Sequence, residues 1–203
     1  LLFMAVRNKN IEAVKVLYKY FDLNERDSFF LATPLMLAIE NGSLEIAKFL
    51  IESGADVNAT EGHNASSTLS FAVSRGQIEI VRLLISKGAK AKDSSFYGNT
   101  SLMSAVDIRH VEIAKFLIEN GADVNAVRRG GFTALMDACC MGHIEMVKLL
   151  ISNGSDINAK SKEDGDTALI FAASGGHVEI VKLLISSGAD VNVKNKKGES
   201  VLT

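Results

Sequence analysis

The chain has 203 residues, 47% of them hydrophobic, with 22 basic against 24 acidic residues and a formal net charge of −2. This balance gives no general pull toward nucleic acid or an anionic membrane surface. Cys139 and Cys140 are the only cysteines, and adjacent thiols build no disulfide framework, so a reducing intracellular setting, the cytoplasm by default, is expected.

Along the chain, Leu1 to Val6 is apolar and could pass for the end of a signal peptide, but it falls into register with a repeat. The longest apolar candidate, Phe29 to Ile39, is interrupted by Thr33 and Pro34. It is far short of the roughly 18–20 apolar residues of a spanning helix, so no membrane insertion is expected. The repeat is marked by Ala5, Ala38, Ala72, Ala105, Ala138 and Ala172, at spacings of 33, 34, 33, 33 and 34 residues.

Each unit carries the same elements in the same order. Thr33, Thr100, Thr133 and Thr167 are placed as N-caps, with Pro34 at a first helical position where its missing N–H costs nothing. A short helix then runs to Gly42, Gly76, Gly142 or Gly176. A second helix follows, with Glu45, Glu79, Glu112, Glu145 or Glu179 in its first turn, where the helix dipole favours an acid. Its apolar spacing, as at Ile78, Val81, Leu84 and Ile85, is helical, and it stops at Gly54, Gly88, Gly121, Gly154 or Gly188. An Asp-Val-Asn turn, with Asp and Asn expected to bond their own backbone, leads into an extended finger. The first unit carries Lys9 and Phe21 in place of both glycines and reads as irregular or terminal.

The text Thr33-Pro34-Leu35-Met36-Leu37-Ala38, the Ile-Glu-Ile-Val at 78–81 and the Gly-Ala-Asp-Val-Asn at 54–58, 121–125 and 188–192 resemble the ankyrin repeat over nearly the whole chain. The resemblance implies an all-α solenoid of about six stacked helix-turn-helix repeats with β-hairpin-like fingers. Its repeats cover 1–32, 33–66, 67–99, 100–132, 133–166 and 167–199 of a single domain 1–203, with residues 200–203 opening a truncated seventh. The family's usual His after Thr-Pro-Leu is replaced by Met36, Ser70, Met103, Met136 and Ile170, which removes its hydrogen bonds and some local rigidity. With no initiator Met and a repeat cut short, the native chain is expected to continue past Thr203; an intact mass equal to these 203 residues would refute that. A monomer is expected, with end-to-end contacts open to the uncapped last repeat.

Residues that recur at the repeat period are explained by the repeat, and only departures from it inform about function. His110, His143 and His177 fill one position in successive repeats. Helices roughly 8–10 Å apart do not bring such side chains onto one ion with bonds of about 2 Å. Cys139 takes a core position, and Cys140 an exposed one. The turn aspartates form no acid–base pair, and no phosphate-cradling glycine motif occurs. No catalysis, cofactor or metal is therefore expected.

What the resemblance implies instead is a non-catalytic module that binds another protein through its concave face and finger loops. Its candidate residues are Phe29, Phe30, Glu40, His63, Phe71, Arg75, Phe96, Tyr97, Asp107, Arg128, Arg129, Asp137 and Met141, with Glu61 also in a finger. Aromatics and arginines are the anchors that interfaces favour, and Arg128-Arg129 faces Asp107 and Asp137 across the groove. The competing account makes these fingers solvated loops charged for solubility. An alternative function is the recruiting part of a larger enzyme or channel, and a third a small-molecule or metal site. The Asp-Val-Asn pattern at Asn58, Asn125 and Asn192 also resembles that of ankyrin asparagines that are hydroxylated in animal cells.

Overall fold

The computed structural model describes residues 1–28 and 31–200. The chain divides into two compact units, Leu1–Phe96 and Tyr97–Thr203.

The first unit holds three helix pairs: α1 (Leu2–Arg7) with α2 (Ile11–Leu17), α3 (Pro34–Glu40) with α4 (Leu44–Glu52), and α5 (Thr68–Ser74) with α6 (Ile78–Ser86). First helices stack on first helices and second on second: α1 on α3 on α5, α2 on α4 on α6. In the second unit α7 (Ser101–Asp107) pairs with α8 (Val111–Glu119), α9 (Ala134–Cys140) with α10 (Ile144–Ser152), and α11 (Ala168–Ser174) with α12 (Val178–Ser186). Here α7 packs on α9 and α9 on α11, while α8 packs on α10 and α10 on α12.

The two helix types differ because of where they lie in the stack. A first helix sits between neighbours, so α3 buries all of Pro34 to Ile39. A second helix covers the core with one stripe, as α4 does with Ile46, Ala47, Leu50 and Ile51. In α6 the stripe is Ile80, Val81 and Leu84, whereas Ile78 and Ile85 are only half-buried. The helical period is as expected, with the buried stripe beginning at Ile80 rather than Ile78.

Caps follow the sequence with one exception. The Oγ1 atoms of Thr33, Thr100 and Thr133 accept the N–H of Met36, Met103 and Met136 at 3.3, 3.2 and 3.3 Å. Ser67 does the same for Ser70 at 3.0 Å. Thr167 does not: its Oγ1 is buried with no hydrogen-bond partner among the described residues. Thr133→Val is thus expected to cost about 1 kcal/mol through the lost cap. Thr167→Val removes an unsatisfied hydroxyl and should leave stability unchanged or slightly raised. Urea denaturation of the two variants side by side checks the contrast.

The stop between helices needs a left-handed residue, and Gly142 supplies it at φ 73°. Glycine is not obligatory there. Lys9 (φ 53°) and Arg109 (φ 59°) adopt the same conformation at the corresponding positions, so the first repeat turns normally despite its missing glycine.

The Asp-Val-Asn turn corrects the expectation for its asparagines. Asp56, Asp123, Asp156 and Asp190 do close their own turns, accepting from the N–H two residues on. The asparagines reach forward instead. Asn58 donates to the Gly88 carbonyl at 3.0 Å and accepts the Lys90 N–H at 3.1 Å. Asn125 does likewise with Gly154 (3.0 Å) and Asp156 (2.7 Å), and Asn158 with Gly188 (3.2 Å) and Asp190 (2.9 Å).

Fingers are joined by a main-chain ladder. Phe96 N–H donates to Asn64 (2.7 Å) in the first unit. In the second, Arg129 donates to Tyr97 (2.8 Å), Lys162 to Gly130 (2.7 Å) and Lys196 to Asp164 (2.7 Å). Among the described residues one finger is a true hairpin: β1 (Val127–Arg128) pairs antiparallel with β2 (Phe132–Thr133). Thr60 and Ser67 form an isolated bridge.

Candidate partner-binding surface

In the first unit, the ends of the first helices and the fingers bring several candidate residues together. The Glu40 carboxylate lies 3.6 Å from the Arg75 guanidinium, both exposed. Phe71 is half-buried against Ala32, Met36 and Ala59. With Glu40, Glu61, Asn64 and Ser66 it lines an open pocket of about 210 Å³. Glu61, however, is buried and accepts the backbone N–H groups of His63 and Asn64, so it closes its own loop rather than facing outward. His63 is exposed beside it, and Phe96 is 79% exposed at the tip of the third finger. Phe29 and Phe30 lie outside the described residues.

In the second unit the arginines divide into two roles. Arg128 grips Asp137 with two nitrogens, at 2.7 and 3.3 Å, and lies over the Phe132 ring at 4.8 Å. Phe132 in turn packs on Phe171 with centroids 5.7 Å apart. A bidentate, ring-backed guanidinium of this kind is rigid, so Arg128 organises the finger and its charge is spent on Asp137. Arg129 is exposed, with its guanidinium 6.0 Å from the Tyr97 ring. Asp107, at the end of α7, has its carboxyl raised above its ordinary value by burial first and by the Asp137 charge second, against an opposing effect of Arg128. The two aspartates are thus close enough to feel each other. Met141 is half-buried after α9, and its carbonyl accepts from Arg109 at 3.4 Å.

A family model described as ankyrin repeats, in three copies, matches residues 1–61, 59–128 and 127–195. The chain is an ankyrin-repeat protein. The crystal structure of the ankyrin repeat domain of Bcl-3, described as a member of the IkappaB protein family, superposes with a TM-score of 0.87 at 28% identity. It covers 99% of this chain and 91% of that one. An ankyrin repeat domain from Acinetobacter baumannii AYE gives a TM-score of 0.84 at 34% identity, over 93% of this chain and 98% of that one. An ankyrin repeat protein of fowlpox virus (strain NVSL) is 36% identical over 58 residues, 28% of this chain. The chain spans 9% of the length of that curated relative. Ankyrin repeats are in general non-catalytic protein–protein interaction modules, and no helix among the described residues is long and apolar enough to cross a membrane.

The remaining chemistry of this ankyrin chain belongs to its scaffold. Cys139 is fully buried and its thiol is pushed up to about 12, by burial first and Cys140 second. Cys140 is exposed. Among the described residues no group of three or more His, Cys, Asp or Glu is placed to hold a metal ion. His110 accepts the Ile113 N–H through Nδ1 at 3.4 Å, and the His177 Nε2 lies 3.1 Å from the Cys140 carbonyl.

His143 departs from its repeat neighbours. The His177 ring lies across Gly142, where an added Cβ would come within 2.6 Å of it. One repeat earlier Arg109 stands at the glycine position with a Cβ of its own, and the buried Nε2 of His143 has no hydrogen-bond partner among the described residues. Burial, reinforced by Arg109 and then His177, holds the His143 imidazole below its ordinary 6.5. The unfolded chain therefore takes up the proton more readily than the folded one. This contribution to stability is complete above about pH 6.5 and is lost as pH falls through that range. Denaturation midpoints at pH 7.5 and pH 5 should show a smaller fall for His143→Gln than for the native chain.

The ankyrin text also isolates two residues outside the candidate set. Lys90 and Lys92 stand where the other repeats carry Asp and Asn, a departure visible in the sequence once the turns are aligned.

Proposed function

We propose that the chain is one ankyrin-repeat domain, 1–203, acting as a non-catalytic adaptor that binds a partner protein through finger tips and the exposed ends of its first helices. The observation that carries this reading is the exposure of Phe96 (79%) and Tyr97 (44%) at one finger tip. Aromatic side chains this exposed at a tip, with an arginine beside Tyr97, are the residue types of binding hot spots. In the second unit the candidate surface comprises Tyr97, Arg129, Asp107 and Met141; in the first it comprises Phe96, Glu40, His63, Phe71 and Arg75. Arg128 and Asp137 support it by fixing the hairpin. The repeat boundaries are those of the marker alanines, and two thiols without a disulfide framework support an intracellular setting.

The test is a triple variant, Phe96→Ala, Tyr97→Ala and Arg129→Glu, which spares Arg128. Capture of a partner from cell extract should fall at least about tenfold, in line with loss of two or more hot-spot side chains. The urea unfolding curve should be unchanged. Undiminished capture by a folded variant would remove this surface from consideration.

A further inference from the structure

The turn after α6 reads Lys87-Gly88-Ala89-Lys90-Ala91-Lys92-Asp93, whereas the corresponding turns carry Asp56 and Asn58, Asp123 and Asn125, Asp156 and Asn158, and Asp190 and Asn192. The exchange replaces one carboxylate by two ammonium groups. The fold does not demand it, because the main chain of this turn is held from outside. Asn58 binds the Gly88 carbonyl at 3.0 Å and the Lys90 N–H at 3.1 Å, and the Ala89 N–H reaches the Leu84 carbonyl at 2.9 Å. The Lys90 side chain is left exposed, with no hydrogen bond or ion pair among the described residues.

The same turn borders an open recess of about 220 Å³. Its floor is the buried Val57, Leu69 and Ala89, Thr60 stands in its wall, and Lys90 and Lys92 lie on its rim. Asp93 also lines it; its carboxylate accepts the Ser67 hydroxyl and keeps its charge, which the two ammonium groups outnumber. The recess thus combines an apolar floor with a positive rim, at the one turn whose charge departs from that of its repeat neighbours. We propose that this recess binds an acidic peptide segment of a partner, with carboxylates on Lys90 and Lys92 and an aliphatic side chain over the Val57–Leu69–Ala89 floor. Its lining shares no residue with the Phe96, Tyr97 and Arg129 set.

Exposed Lys–carboxylate attraction is weak and screened by salt, so binding is modest and falls steeply with ionic strength. The probe is an N-acetylated Glu-Leu-Glu-Glu-Leu-Glu peptide titrated into the isotope-labelled full chain and followed by amide chemical shifts. Shifts are expected at Thr60 and from Ala89 to Lys92, weakened at least about fivefold when salt rises from about 50 to about 300 mM. K90D with K92N writes the neighbours' turn into this position, keeps the fold and should weaken binding at least about fivefold. Should that pair unfold, Lys90→Gln with Lys92→Gln gives the same reading. The Gln-Leu counterpart of the peptide should not bind. Absence of shifts at this turn, or equal affinity in the folded lysine variants, overturns the proposal. Phe96→Ala with Tyr97→Ala should leave the titration unchanged, so the two surfaces succeed or fail separately.

Discussion

Leu135→Ala is expected to lower stability by about 2–5 kcal/mol, the cost of a large buried side chain removed from a site that closes only in part. Leu135 has no exposed surface and sits on α9, which packs on α7, α10 and α11 at once. Because each repeat is held chiefly by its neighbours, the loss acts on the interfaces to both sides. Urea unfolding should therefore show a lower midpoint and, where the repeats uncouple, a shallower or two-step transition. Ile185→Ala is the control: Ile185 is 45% exposed on α12 and its truncation should cost below about 1 kcal/mol. A Leu135→Ala curve that overlays the native one would mean that α9 is not the keystone of its unit.

Asn125→Ala should cost about 1–3 kcal/mol, two hydrogen bonds at roughly 0.5–1.5 kcal/mol each. It removes the acceptor of the Asp156 N–H and the donor to the Gly154 carbonyl while taking nothing from its own turn, which Asp123 closes. Asn192→Ala provides the contrast. The Asn192 backbone is held by Asp190, and its side chain makes no corresponding bond among the described residues. Its substitution should fall within about 0.5 kcal/mol of native. Equal losses at the two positions would show that the asparagines act within their own turns after all.

Much of this fold is legible in the text because the repeat states it six times over, and each statement is local. Thr before an apolar run reads as a cap from the sequence alone, and Thr33, Thr100 and Thr133 serve as caps. Thr167, before an equally apolar run, leaves its Oγ1 without a partner among the described residues, which no single-residue preference encodes. The same limit applies to the asparagines. Their preference for turns is plain, but that they bond the next repeat's turn becomes visible only when two repeats are side by side. Glycine positions were readable as helix stops. That Arg109 and Lys9 would adopt the same backbone was not, since the surrounding stack imposes a conformation such residues otherwise avoid.

The candidate surface was less legible. Phe96, Tyr97 and Arg129 stand out from the repeat in sequence and are exposed. Arg128 and Asp137 look equally distinctive on paper, yet opposite charges nine residues apart across a hairpin meet and satisfy each other. Glu61 reads as a solvated finger acid, and two backbone N–H groups draw it inward.

The asparagine bonds have a direction. Asn58, Asn125 and Asn158 each reach the glycine and the N–H of the turn that comes after them in the chain. Each of these three modules therefore carries a hook for its successor within its own stretch of text, whereas the repeat with Lys92 at that position lacks it. A copy in tandem of a segment that holds such an asparagine carries both halves of its fastening with it. Such an array can lengthen by duplication without a matching change elsewhere, and a gene encoding it can gain or lose a whole period and still specify a folded product.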